Sequence, residues 1–305
     1  MRDDKGRIIL NDYKRVNDYI AGRKKKIWLS KDGKKYLFKT GGSNYEIYAE
    51  LIACELAKQC GFSTAFYDLA ILDGESGVLT PSFLKPGNII IGGDQYFSNV
   101  RNVAVQNNMC FDFRKNSIDN ILSAVAINES GYDDIAEIIL FRLLQLWSFD
   151  LAIMESDRNS TNWSLIRNVN GFLTLAPIYD CSTMCMLNND VYSLQSNLRS
   201  EFQIYNIIDS IQYSLKLRND GVDNMYDDFS FLCYSFPNEM YDIIECLCKM
   251  DVYKAIDNIN SRISSEMNSG SFEIPYFIGT WVNKLIKFRL ETLKSIFENT
   301  KKKCK

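Results

Sequence analysis

The chain has 305 residues, 46% of them hydrophobic and 24% charged, with a formal net charge of −3 and no histidine. One large domain or a two-lobed unit with an ample core is expected, and the charge balance offers no general attraction to nucleic acid. The missing imidazole excludes Ser-His-Asp and Cys-His hydrolysis and every His-ligated zinc or haem site.

Residues 1–10 are charged, unlike a secretory signal, and no apolar run reaches the length of a membrane span. A cytoplasmic protein is expected, or an effector exported without such a signal, with no membrane partner. Residues 27–30 and 35–40 alternate as strands do, with Asp32 and Gly33 as the hairpin turn between them. Ser43 with Glu46 three residues on is a capping-box pattern, so a helix starts at Asn44 and runs to about Cys60. Gly61 is its expected C′ residue. Residues 66–72 and 77–84 read as a second strand pair around Asp73 and Gly74. The stretch 86–116 has no clear periodicity. Apolar-periodic runs at 118–127 and 133–153 predict helices, the second apolar on more than one face and so buried. Further helices are expected at 201–217, 238–249, 252–267 and 278–298. Strands with one early helix, then a helical part, make an α+β, two-lobed plan. Its small β-rich N-lobe would span about 1–90 and its larger helical C-lobe about 91–305.

Nine cysteines, at 54, 60, 110, 181, 185, 233, 246, 248 and 304, show neither a disulfide framework nor paired metal knuckles. Reduced thiols of a cytosolic protein are expected.

The richest stretch is DRNSTNWSLIRNVNGFLTLAPIYD, residues 157–180. Asp157 precedes Asn162 by five residues, the spacing of a kinase catalytic loop in which the Asp takes a hydroxyl proton and the Asn holds Mg²⁺. Two apolar-rich runs, 163–169 and 172–176, flank Asn170 and Gly171, which predict a type I′ hairpin turn. Asp180 lies past the second run, so the hairpin is expected to bring Asp157, Asn162 and Asp180 to one mouth. Two acids and an amide suit a hard, oxygen-seeking cation such as Mg²⁺. Lys39, in a strand, and Glu50, on the helix that follows, make the lysine–glutamate pair that phosphoryl transfer uses on phosphates. Glu46 is committed to the helix start. Thr80, Pro81, Ser82 and Phe83 follow a strand and are candidates for holding adenine. Residues 21–26 are the one candidate phosphate loop.

Four strings carry a family resemblance: YLFKT with Lys39, YAELIACELAKQCGF with Glu50, FDLAIMESDRNSTNW with Asp157 and Asn162, and LAPIYD with Asp180. Together they cover about residues 34–185, roughly half the chain, and resemble the HipA-like kinase family, most closely its small CtkA-type members. The resemblance implies an ATP- and Mg²⁺-dependent serine/threonine protein kinase, with a toxin or effector role. Its partners would be a protein substrate with a Ser or Thr acceptor and an antitoxin or regulatory protein. Lys39 would hold phosphates, Asp157 would be the base, and Asn162 and Asp180 would hold Mg²⁺. The family histidine after Asp-Arg is Asn159 here, a hydrogen-bonding but non-titrating substitute. A phosphoinositide or small-molecule kinase and a catalytically silent binding module of the same fold are the alternatives.

Overall fold

The structure is a computed structural model. It describes residues 1–17, 25–42, 44–106, 116–128, 133–189, 193, 195–196, 198, 200–217 and 225–303. Ser43, the expected N-cap, residues 21–24 of the candidate phosphate loop, Cys110 and Cys304 lie outside the described residues.

The chain forms two compact units, interleaved along the sequence. The first comprises Met1–Phe83, Pro177–Ser210 and Lys249–Lys287; the second comprises Leu84–Ala176, Ile211–Cys248 and Phe288–Lys305.

In the first unit a six-stranded sheet is built from β1 (Ile8–Ile9), β2 (Lys14–Val16), β3 (Lys26–Lys31), β4 (Lys34–Thr40), β5 (Asp68–Leu72) and β6 (Glu75–Pro81). Its order is β1-β5-β6-β4-β3-β2, with β1 parallel to β5 and every other pair antiparallel. Both expected two-residue turns form, with positive φ at Asp32 and Gly33 and at Asp73 and Gly74, as a type I′ turn requires. Leu10, Leu29, Phe38, Ala70, Leu72 and Leu79 make the buried cluster of this sheet. Gly77 is required where β6 meets β4, because a Cβ there would overlap the Lys39 carbonyl oxygen. Helix α1 (Asn44–Gln59) packs on β6 and on a later helix of the same unit, Val252–Ser265. Gln59 clasps the start of that later helix, accepting from the Asp251 N–H at 2.6 Å and donating to its carbonyl at 3.1 Å. Gly61, with φ of 74°, ends α1.

In the second unit β7 (Ile89–Gly92), β8 (Ser164–Arg167) and β9 (Leu173–Leu175) form an antiparallel sheet in that order. β7 and the helix after it, α2 (Gly93–Gln106), come from the stretch that showed no periodicity. Helices α3 (Ile118–Asn128) and α4 (Asp133–Ile153) lie where the apolar runs predict them, and α4 packs on β9 and α3. Trp163 is buried edge-on against Phe97, with ring centroids 5.6 Å apart. Gly93 must be glycine, since a Cβ would run into the Trp163 ring and sit 2.7 Å from the Ser160 carbonyl oxygen.

The β8–β9 turn corrects the sequence reading. Gly171 has positive φ but Asn170 does not, so the turn is not type I′. Asn168 closes it instead: its carbonyl accepts from the Gly171 N–H, and its side-chain oxygen accepts from the N–H groups of Asn170 and Phe172. This Asx arrangement lengthens the loop and shortens both strands.

Among the described residues five more α-helices of three turns or so and longer follow: α5 (Glu201–Ser210), α6 (Met225–Ser235), α7 (Pro237–Leu247), α8 (Val252–Ser265) and α9 (Tyr276–Lys303). The helix expected to reach 217 stops at Ser210. Beyond it, the N–H groups of Ser214 and Lys216 bond the carbonyls of Ser156 and Asn116 and leave the helical ladder. α6 was not anticipated. No helix among the described residues is long and apolar enough to cross a membrane.

Candidate active site

Within the first unit three ionised side chains meet. Lys39 comes from the end of β4, Glu50 from the second turn of α1, and Asp180 from a segment hydrogen-bonded alongside residues 63–65. The Lys39 ammonium donates to Glu50 Oε1 at 2.6 Å and to Asp180 Oδ1. All three are buried. Burial alone would lower the Lys39 pKa, but Glu50 and then Asp180 raise it above its ordinary value. Burial alone would raise the Asp180 pKa, yet Lys39 and Lys26 hold it well below the carboxylate range. Both groups are therefore ionised at neutral pH.

Two further contacts fix Asp180. It adopts the left-handed region, with φ of 57°, and its N–H donates to the Tyr67 hydroxyl at 3.1 Å. The next N–H, of Cys181, donates to Glu50 Oε2 at 2.9 Å. Glu50 thus uses one oxygen on the lysine and the other on the backbone beside Asp180. Burial, with Glu50 and Asp180 nearby, pushes the Tyr67 hydroxyl well above its usual pKa, so it stays protonated. Glu46 does turn back to the helix start, where its carboxylate accepts from the Gly42 N–H at 2.6 Å. At the end of β6, Ser82 donates its N–H to the Lys35 carbonyl and the Phe83 ring stacks with Tyr179 at 6.2 Å, beside Pro81.

The second unit holds the loop after α4. Met154, with φ of 56°, ends that helix, and the Asp157 N–H donates to Glu155 Oε1 at 2.9 Å. Arg158 is buried and organises the loop. It makes two 2.9 Å bonds to Asp150 on α4 and donates to the Asn162 carbonyl at 2.7 Å. Burial raises the Asp150 pKa despite the arginine's opposing pull. Asn162 donates through Nδ2 to the Asp157 carbonyl at 2.6 Å, which leaves its side-chain oxygen as an acceptor. Asn159, which stands where the resembled family has a histidine, donates to Asp157 Oδ1 at 2.8 Å. Asp157 itself is exposed. Asn116 ties the loop to the fold, donating to the Arg158 carbonyl at 2.7 Å and accepting from the Trp163 ring N–H at 2.9 Å.

The fitness of these residues for Mg²⁺ rests on their donor chemistry. Asp180 is a carboxylate that Lys39 and Lys26 hold in its ionised form, and an ionised carboxylate is the kind of hard oxygen donor that Mg²⁺ takes. Among the described residues there is no group of three or more His, Cys, Asp or Glu that could hold a metal alone. Mg²⁺ needs no such cage, since it takes one or two protein oxygens and completes its shell with phosphates and water.

Tyr67, Asp150 and Asn116 were missed from sequence, and Lys26 was read only as the last residue of the candidate phosphate loop. Only Lys26 had a local signal: a two-residue turn at Asp32 and Gly33 sets the register that puts it opposite Lys39.

No protein-family model matches the chain, and no curated protein matches it by sequence. Solved structures do. The proinflammatory kinase CtkA of Helicobacter pylori aligns with a TM-score of 0.73 at 15% identity, over 97% of this chain and 98% of that one. HipA of Shewanella oneidensis MR-1, solved in a toxin–antitoxin complex with HipB and operator DNA, aligns with a TM-score of 0.54 at 14% identity. That match covers 93% of this chain and 67% of HipA. The chain therefore has the α+β fold of the HipA-like kinases that its motifs resemble.

Proposed function

We propose that the chain is an ATP- and Mg²⁺-dependent phosphotransferase that phosphorylates serine or threonine on a protein substrate. The observation that carries this reading is the buried Lys39 ammonium between Glu50 and Asp180. A strand lysine paired with a helix glutamate, beside a metal-binding aspartate, is what kinases use to hold nucleotide phosphates. Asn162 and Asp180 would hold Mg²⁺, which when bound neutralises charge on the phosphate oxygens.

The chain's own residues do the rest. Lys39 binds phosphate oxygens, and Glu50 keeps it extended. Pro81, Ser82 and Phe83 offer backbone groups and an apolar face to adenine. Asp157 accepts the acceptor hydroxyl's proton as that oxygen bonds the γ-phosphorus and ADP leaves. Asn159 and Asn162 orient the Asp157 carboxylate, and Arg158 holds the loop to α4.

A regulatory protein partner is proposed from the likeness to HipA, which was solved with HipB. The test is ADP release with Mg·ATP and a generic protein substrate, with the product mapped by mass spectrometry. Phosphoserine or phosphothreonine supports the reading. ADP release with the phosphate on a small alcohol only would move the acceptor to a small molecule.

A further inference from the structure

A cavity of about 210 Å³ opens within the first unit, between α1 and the strands β5 and β6. None of Lys39, Glu50 and Asp180 lines it. Its apolar walls are Ile47 of α1, Leu69 of β5 and Phe272, which follows α8. The Phe272 ring tilts against that of Tyr48, also on α1, with centroids 6.4 Å apart. Burial pushes the Tyr48 hydroxyl above its usual pKa, so it stays protonated and able to donate. Walls of this kind suit a small aromatic ring.

The polar wall is cationic. A turn over residues 3–7 is closed by the Gly6 N–H on the Asp3 carbonyl and the Asp3 N–H on the Arg7 carbonyl. It sets Lys5 and Arg7 on the cavity beside Ser76. Arg7 is already engaged, donating to Ser76 Oγ at 2.7 Å and to Asp3 at 2.8 Å. Lys5 is exposed, and among the described residues no acid pairs with its ammonium. No carboxylate among those residues lines the cavity. With Arg7 balanced by Asp3, one positive charge is left over, the complement of a single negative charge. The volume is below the roughly 300–1,000 Å³ of pockets for drug-sized ligands, so the occupant is small.

The cavity shares walls with the candidate active site. Ile47, one turn before Glu50, also lines the narrow space beside Lys39 and Glu50. Gly77 faces the cavity and packs so closely on the Lys39 carbonyl that no side chain fits between them. Resting on the reading that the Lys39 cluster takes nucleotide, we infer that this cavity is an effector site for a small aromatic carboxylate. Seated against Ile47 and Tyr48, the ligand braces the part of α1 that presents Glu50. It favours the arrangement in which Glu50 holds Lys39, and by linkage it strengthens nucleotide binding by the same factor that nucleotide strengthens its own.

The experiment uses the full chain and reads binding without turnover. Phenylacetate, acetate and phenylacetamide are titrated in the absence of nucleotide, and the Ile47 δ-methyl signal is followed by NMR. Phenylacetate should shift that signal saturably with a Kd of about 1 mM or below, and acetate and phenylacetamide should bind at least about tenfold more weakly. Lys5→Met should weaken phenylacetate about tenfold, the order of one hydrogen bond to a charged group, and Lys5→Arg should restore it. Calorimetry at saturating phenylacetate should show ADP bound at least about fivefold more tightly. Equal binding of phenylacetate and phenylacetamide, or of phenylacetate by wild type and Lys5→Met, would overturn the inference. So would phenylacetate binding that leaves ADP affinity unchanged. A wild-type chain that binds phenylacetate but no ADP would overturn the kinase reading and the coupling with it, while the site for the acid stands.

Discussion

Replacing Glu50 by glutamine tests how the buried cluster is held. Glu50 is 2% exposed, and its two oxygens serve the Lys39 ammonium at 2.6 Å and the Cys181 N–H at 2.9 Å. The new amide has the same shape but one acceptor oxygen, and its NH₂ must face one of those two donors. One bond is lost in either orientation. A hydrogen bond to a charged group contributes about 1.5–3 kcal/mol, and removing one member of a buried ion pair costs about 3–5 kcal/mol. Lys39 keeps Asp180 as a partner, so the lower range of about 1.5–3 kcal/mol applies to Glu50→Gln. Urea unfolding without nucleotide should show a lower midpoint at unchanged slope. With Lys39 drawn toward Asp180, kcat/KM for ATP should fall at least about tenfold. A stability loss under about 0.5 kcal/mol with unaltered turnover would refute the assigned role of Glu50.

Two further outcomes follow from the same geometry. The Asp180 carboxyl is held well below its unfolded-chain value of 3.8 in the native state. Its contribution to stability is therefore present above that value and is lost as pH falls through the folded one. Asp180→Asn should flatten the acid side of the stability–pH profile; an unchanged profile would contradict the pairing. Gly93→Ala should cost about 1–3 kcal/mol by overpacking against Trp163, seen as a drop in the unfolding midpoint and in the protection of the Trp163 indole from exchange. A neutral substitution would show that α2 can shift away.

Much of the fold was legible because its signals are local. Asp32 with Gly33 and Asp73 with Gly74 set two hairpins with both central residues at positive φ. The same logic failed at Asn170 and Gly171, where the Asn168 side chain competes for the turn's N–H groups. α4 announced itself by an apolar run, whereas β7 is a four-residue strand defined by pairing with β8, some 75 residues on. α5 ends early because Ser156 and Asn116, distant in sequence, take the backbone donors beyond it.

At the candidate site, Lys39 and Glu50 were readable from a strand followed by a helix, and their pairing was found as expected. Tyr67 was not readable. It stands 113 positions from the Asp180 N–H that it accepts, and nothing in YDLA marks a buried hydroxyl. Asp150 was hidden in an apolar helix, where a lone acid has meaning only once Arg158 is seen to reach it. The role of Asn159 was half legible, since its hydrogen-bonding capacity was evident but its partner oxygen was not.

The central claim is that the Asp157 carboxylate receives the proton during transfer of the ATP γ-phosphoryl group to a protein hydroxyl. Asp157 is exposed on a loop fixed by Arg158, so Asp157→Ala should fold normally. The most direct measurement follows phosphate from γ-labelled ATP onto protein in wild type and Asp157→Ala, with ATP binding measured on the same samples. The account expects binding to be retained and transfer to fall about a hundred- to ten-thousand-fold. Transfer retained at the wild-type rate, in a variant that binds ATP equally well, would contradict it.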